Sequence, residues 1–434
     1  MTYIALGIFG LSFLLIALEK YEKSLVALCG ALMMVLTGVL TPDEALASIE
    51  THAILLLMAM MLLVNIASKS GIFEWLNLRI ASLTRGNPLA LFLLFSLLTA
   101  VFSAFLDNVT TIILIVPLTI ELLKGMGKDP KPYIFAEIIF SNLGGGLTLI
   151  GDASNIIIGS ASGFTFLEFI VNLWMPILAS AIFCAVVFGV VYRKHLKRIA
   201  SNLVDLCIAN ILIRSLKQKF LKIKLHKWFV IKAIIILNLT FLGFILQGLI
   251  GIPTYVIAFT SAVILALLSQ KQVSIHHAFS SVEWATLFFF SGLFVMVGGV
   301  EQTGALEKLS DWIANYSNDM FVLSVIILWV SAFVSMLLDN IPFVTVMVPV
   351  IAGIEAQFIG VENVEVLWWA LSLGACLGGS GTLVGASANV VSADIANKNG
   401  VKITFMEYTR FALPLTIGVM AICTVYLYLR VNYL

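Results

Sequence analysis

The sequence predicts an all-α polytopic membrane protein made of two inverted-topology repeats. Each repeat has five spans, one re-entrant helical hairpin and a broken helix. Three observations predict it. The chain has 434 residues, 61% hydrophobic and 11% charged, and apolar runs of about 18 residues or more recur along its length, enough for many membrane-crossing helices. Phe105-Leu106-Asp107-Asn108-Val109-Thr110-Thr111, inside a long apolar run, returns as Leu337-Leu338-Asp339-Asn340-Ile341-Pro342-Phe343. Finally, the lysines and arginines divide the connecting segments so that each half crosses the membrane an odd number of times, and homologous halves with odd crossings are inverted.

The first half, 1–192, opens with spans at 3–18, 24–40 and 53–68. The opening span lacks a basic leader and a small-residue cleavage site, so it reads as a retained span and not as a signal peptide. A short amphipathic arm follows at 70–87. Two legs, 88–106 and 109–124, flank Asp107-Asn108. Segment 133–162 is interrupted at Gly151-Asp152, and a last span covers 166–192. The polar, basic stretch 193–227 links the halves. The second half, 228–434, repeats the order: spans 228–250, 254–270 and 283–300, an arm at 301–318, legs 319–338 and 341–358, an interrupted segment 366–396 and a final span 407–429. The halves match element by element. Ile49-Glu50 corresponds to Val282-Glu283, Gly71 through Leu76 to Gly304 through Leu309, and Gly144 through Asn155 to Gly378 through Asn389. A proline follows each aspartate in the same register, at Pro117 and Pro349.

Orientation follows from the basic residues. With 193–227 in the cytoplasm, Lys20, Lys23, Lys69, Arg79, Arg85, Lys124, Lys128, Lys131, Lys271, Lys398, Lys402 and Arg410 all fall inside, and only Lys308 and Arg430 of the 25 basic residues fall outside. Acids such as Asp43, Glu44, Glu50, Glu301 and Glu307 gather outside, and both termini are then outside. The legs are each long enough to span. Asp107-Asn108 could therefore be a surface turn with Asp107 as a plain helix cap. The absence of added glycine, lysine or polar residues there favours a buried, re-entrant tip.

Acids at membrane depth normally face a bundle interior or a watery cavity and mark function. Asp107, Asp339 and Asp152 are the candidates. The first two are related by the repeat, whereas Asp152 has Ala386 as its counterpart, which suggests two unlike sites. The interrupted segments add Thr148, Gly151 and Asn155, and Thr382, Gly385, Ser387 and Asn389. Glycine permits the break and a close approach of backbone, although it also eases ordinary helix packing. A broken helix ends in unpaired carbonyls that suit cations and restarts with unpaired amides that suit anions. No lysine or arginine falls at membrane depth in this map. The buried aspartates are therefore expected to be balanced by a bound cation, a proton or helix-end amides. Glu137, near the inner end of its segment, is expected to snorkel toward water. His52, His195, His226, His276 and His277 fall near surfaces, and the five scattered cysteines lack metal-ligand spacing and read as packing residues.

On these stretches, with Ala136 through Gly145 and Ile150 through Asn155, the sequence resembles the P-protein branch of the ion transporter superfamily. That branch is related to arsenite permeases and a sodium/proton antiporter group (NhaD-like), and more distantly to divalent anion/sodium symporters. The resemblance covers nearly the whole chain. It implies a homodimer, with a scaffold from the early spans (1–68 and 228–300) and a transport part from the hairpins and broken helices (88–192 and 319–434), moving by elevator-type alternating access. In the symporters the hairpin tips carry Ser-Asn-Thr and help bind sodium. Here Asp107-Asn108-Val109 and Asp339-Asn340-Ile341 keep the asparagine and exchange serine for an acid. Ala153-Ser154 also replace the two prolines usual after Gly-Asp.

The expected function is secondary-active, sodium- or proton-coupled transport of a small ion across the plasma (inner) membrane, as sodium/proton exchange or small-anion transport. Asp107, Asn108, Asp339 and Asn340 are expected to bind the coupling ion, with sodium one possible occupant and no other cofactor. Thr110 joins the first tip. Thr148 through Asn155 and Thr382 through Asn389 are expected to bind substrate or a second ion. Arsenite or antimonite efflux is the close alternative. A passive channel and an intramembrane aspartyl protease are remote ones, the latter because Leu149 stands where its Gly-x-Gly-Asp signature needs glycine. The expected partners are the lipid bilayer, the ions and a second copy of the chain, with no nucleic acid and no enzymatic activity.

Overall fold

The computed structural model describes residues 1–433 apart from 19, 85, 86, 197–226, 281, 359 and 362. Most of the basic linker 193–227, His226 included, therefore lies outside the described residues. The regular structure among the described residues is helical throughout. The first half runs α1 (Thr2–Ala17), α2 (Lys23–Leu36), α3 (Pro42–Ala47), α4 (Thr51–Ser68), α5 (Ile72–Thr84), α6 (Pro88–Phe105), α7 (Asn108–Gly125), α8 (Lys131–Gly145), α9 (Ala153–Ser162), α10 (Phe166–Val191) and α11 (Arg193–Leu196). The second runs α12 (Lys227–Ile245), α13 (Gln247–Ile250), α14 (Thr254–Leu268), α15 (Ile275–Ser280), α16 (Trp284–Glu301), α17 (Ala305–Ala314), α18 (Met320–Leu337), α19 (Asn340–Gln357), α20 (Val366–Gly378), α21 (Ser387–Lys398) and α22 (Phe405–Tyr433). Nine of the helices among the described residues are long and apolar enough to cross a membrane.

Local chemistry sets the helix ends. Pro88 begins α6 under an Asn87 cap, and Thr41 and Glu44 form a reciprocal capping box at α3, as Thr165 and Glu168 do at α10. The short helices α3 and α15 fall in segments that the hydropathy pattern leaves as connections. The first break is also longer than Gly151-Asp152 suggests. Helix α8 already stops at Gly145, within the run Gly144-Gly145-Gly146, and the chain turns irregularly until α9.

The two halves pack reciprocally. Helix α2 lies on α16, and its counterpart α14 lies on α4. Helix α6 lies on α8 as α18 lies on α20. Helix α7 meets α21 while α19 meets α9, and α10 packs on α22. Each broken helix therefore rests against the tip-bearing helix of the other half. Aromatic stacking fills the seams: Trp369 lies on Phe164 at 4.5 Å and edge-on to Phe169 at 5.2 Å.

Candidate functional site

The two tips meet at one carboxylate. Asn108 begins α7 and Asn340 begins α19. Asn108 Nδ2 donates to Asp152 Oδ2 at 2.9 Å, and Asn340 Nδ2 donates to Asp152 Oδ1 at 3.0 Å. Asp152 also caps α9, accepting from Ser154 N at 2.9 Å and Ser154 Oγ at 2.6 Å. Four donors thus converge on a carboxylate that is 7% exposed. The rest of the first tip is held as firmly. Ser103 donates to Asn108 Oδ1, and Ser103 Oγ lies 3.1 Å from Ser141 Oγ. A Cβ on Gly145 would fall 2.3 Å from Asn108 Oδ1, so glycine is what lets the tip seat there.

The tip aspartates differ from each other, and the sequence explains why. Asp107 caps its own helix: Oδ1 accepts from Thr110 N at 3.0 Å, and the Thr110 hydroxyl donates to Oδ2. In the second half Pro342 stands where Thr110 does. It has neither an N–H nor a hydroxyl, so Asp339 makes no side-chain cap bond. Its Oδ2 instead accepts from Lys23 Nζ at 3.2 Å and from Ser387 Oγ at 2.9 Å. This corrects the expectation that no lysine would serve a tip aspartate. Lys23 starts α2 at the end of a span, and its long side chain reaches inward.

The breaks are stitched symmetrically. The Thr148 hydroxyl donates to Ala104 O and accepts from Gly151 N, while the Thr382 hydroxyl donates to Met336 O and accepts from Gly385 N. Asn155 Nδ2 donates to Thr148 O at 3.0 Å, and Asn389 Nδ2 donates to Thr382 O and Gly379 O, each at 2.8 Å. The carbonyls expected to be open to a cation are therefore largely occupied by asparagine amides. This follows because buried carbonyls without water must find a donor. Gly151 and Gly385 serve close backbone packing: a Cβ on either would lie 2.7 Å from the carbonyl oxygen of Ser103 or Ser335.

Between the halves, Asn142 Nδ2 reaches Asn389 Oδ1 at 3.1 Å and Ser380 Oγ at 3.0 Å. Its repeat counterpart Cys376 approaches Asn155 Oδ1 at 3.4 Å and Ser154 Oγ at 3.2 Å. Sequence reasoning missed Ser103, Asn142 and Lys23, and gave Ser154 no role of its own within the Thr148–Asn155 stretch. A polar Asn142 in the middle of an apolar helix was the available signal. Glu137, expected to snorkel, is 1% exposed and accepts from Thr119; its Oε2 has no partner among the described residues. It lies against α7, which closes its route to water.

Two clefts complete the geometry. One, of about 310 Å³, is lined by Tyr21 to Ser24, Ala285, Thr286 and Phe289 on one wall and by Asp339, Ile341 and Ser387 on the other. The second, of about 210 Å³, includes Thr254, His52, Ala53 and Leu56 opposite Ile156, Gly159, Ser160 and Phe164. The first walls are repeat equivalents. Buried Ala27, Ala31 and Met34 run in register with buried Ala258, Ala262 and Leu265, which sets Lys23 against Thr254. Likewise Ala285, Thr286 and Phe289 match His52, Ala53 and Leu56. The opposing walls differ in part: the Asp339–Ile341 turn, with Ser387 at the start of α21, faces one cleft, and α9 with Phe164 faces the other.

Apolar helices around a buried polar centre fit a polytopic integral membrane protein, and comparison with known proteins makes it a membrane transporter. The chain belongs to the citrate transporter family (CitMHS), whose pattern matches residues 13–374. It is 34% identical to a 46 kDa membrane protein of Mycobacterium leprae and 35% identical to an uncharacterized transporter of Mycobacterium tuberculosis, in each case over 99% of both chains. It is 30% identical to the human P protein over 95% of this chain and 58% of that one. The YdaH transporter of Alcanivorax borkumensis, whose structure has an unusual topology, shares the fold, with a TM-score of 0.58 over 99% of this chain and 97% of that one at 16% identity.

Proposed function

We propose that the chain is a secondary-active transporter that couples a monovalent cation, sodium or proton, to movement of a small anion. The carrying observation is the convergence of both tips, Asn108 and Asn340, on Asp152. One buried carboxylate joins the two hairpins, so an ion that alters it acts on both halves at once. Asp107 and Asp339, with Asn108, Asn340 and the nearby Thr110 and Ser387, are the cation-binding groups in this reading. The start of α21, where Ala386 makes no side-chain cap bond and Thr382, Gly385 and Asn389 shape the break, offers a helix N-terminus to an anion, while Thr148, Gly151, Asp152 and Asn155 shape the opposite break at α9. The family's citrate description favours a small carboxylate as first candidate. Sodium/proton exchange is the second form of the reading, favoured by a titratable acid at each tip.

An elevator-type cycle is supported by the unequal clefts. Equivalent walls of the two halves face different parts of the moving unit, as expected if that unit is displaced toward the Lys23 side. With basic 193–227 in the cytoplasm of the plasma membrane and both termini outside, that side is cytoplasmic and the state is inward-facing. The homodimer belongs to the same proposal.

The test is transport by purified protein in proteoliposomes, with sodium, proton and citrate gradients imposed one at a time. Uptake of citrate that accumulates against its own gradient when sodium or protons flow is the expected result. Flux that follows only its own gradient would instead indicate a channel.

A further inference from the structure

We propose that Lys23 is a built-in competitor for the coupling cation: its ammonium occupies Asp339 until an incoming cation displaces it. The inference rests on the cation-coupled reading above and assigns a residue that this reading leaves unused.

Asp339 Oδ2 holds Lys23 Nζ at 3.2 Å and Ser387 Oγ at 2.9 Å. The carboxylate is nearly buried, with 8% of its side chain exposed, while the lysine side chain keeps 29% exposure in the open cleft. The ammonium is therefore the partner open to the cleft and the carboxylate the enclosed one. A lysine also suits displacement, because it is a point charge on a flexible stem and not a bidentate fork. The cleft offers what a hard cation needs once the ammonium swings away. Asp339, Ser387, Thr286 and Glu22, all with side-chain oxygens, are among its lining residues, and such ions prefer oxygen ligands. The Ser387 hydroxyl can rotate from donor to acceptor in the exchange.

The device belongs to one half only. Thr254 stands at the position equivalent to Lys23, and Asp107 is tied into its own helix cap by Thr110. Lys23 heads α2, which packs on α16, whereas Asp339 sits on the tip between α18 and α19. The pair thus joins the early helices to the hairpin. Binding of the cation and release of this tie become one event, which makes Lys23 a positioning and affinity-setting residue.

The experiment is thermal unfolding of the purified full-length protein, titrated with sodium chloride against choline chloride at constant ionic strength. It is repeated for Lys23→Gln, Lys23→Arg, Glu22→Gln and Asp339→Asn. Wild-type Tm should rise with sodium. Lys23→Gln should move the midpoint to roughly tenfold lower sodium, since losing a competitor worth one decade in binding does so. Lys23→Arg should keep a wild-type or higher midpoint, Glu22→Gln should not lower it, and Asp339→Asn should lose the response. A Lys23→Gln midpoint that stays put, with Tm lower at every concentration, would show a purely structural lysine and overturn the inference alone. The sodium KM in proteoliposomes gives a second readout of the same shift, should detergent weaken the variant. A wild-type protein that responds to neither sodium nor protons in stability or transport would overturn the coupled reading as well.

Discussion

Asp152 is the residue on which most of the polar centre depends. Asparagine in its place keeps the shape but offers one acceptor oxygen where two tip amides now arrive, so one of Asn108 or Asn340 would face an N–H₂ group. Asp152→Asn should therefore abolish coupled transport while the protein still elutes as folded material; coupled uptake by this variant would remove Asp152 from the mechanism. The stitching threonines make a different prediction. Thr148→Val and Thr382→Val each strand a buried N–H and a buried carbonyl, at a cost of about 1–3 kcal/mol. Thermal unfolding should show the loss for either one, because both breaks use the same bonds. The aspartates and asparagines were legible in the sequence because polar groups stand out in apolar runs. Lys23 was not, because a lysine at the end of a span reads as a topology anchor and its partner lies 316 positions away. Ser103 and Ser154 were equally hidden, since serine is common in membrane helices for reasons unrelated to any site.

At the scale of the element, the sequence located the tip-bearing helices well. The expected leg 109–124 is α7 (Asn108–Gly125), and the expected leg 341–358 is α19 (Asn340–Gln357). Hydropathy and the repeat both mark those ends. The breaks were placed less well, because glycine runs leave several residues equally able to end a helix. What the pattern did not show is that, among the differences between the tips, threonine at 110 against proline at 342 sets their caps apart. Pro342→Thr should restore the cap partner that Asp339 lacks. A gained N-cap is worth about 1 kcal/mol, so Tm should rise while the carboxylate turns away from Lys23 and transport slows. Unchanged transport in a more stable variant would mean that Asp339 works equally well from within its helix cap.

At the scale of the whole molecule, the repeat was legible but its asymmetry was not. Internal similarity reveals which elements correspond, whereas the difference between the two clefts depends on contacts between distant segments. The unequal clefts lead to a prediction about the alternate state. Exchange of the two halves' environments would carry Asp107 to Thr254 as Asp339 now lies at Lys23. In a background without reactive cysteines, the pairs Lys23→Cys with Asp339→Cys and Thr254→Cys with Asp107→Cys should each be bridged by a short bifunctional thiol reagent in native membranes. Bridging of the first pair and never the second would argue against an elevator displacement.

The pairing of Asp152 with Ala386 also bears on how such a chain can arise. A duplicated ancestor with two identical halves would bring either two carboxylates or none to the pair of asparagines. Two like charges so close cannot both remain ionised, and none would leave both amides without their acceptor. The present centre needs one acid for two tips. An acid added at the counterpart position, as Ala386→Asp, should therefore lower the Tm of the protein, and an unchanged Tm would mean that the centre tolerates a second carboxylate.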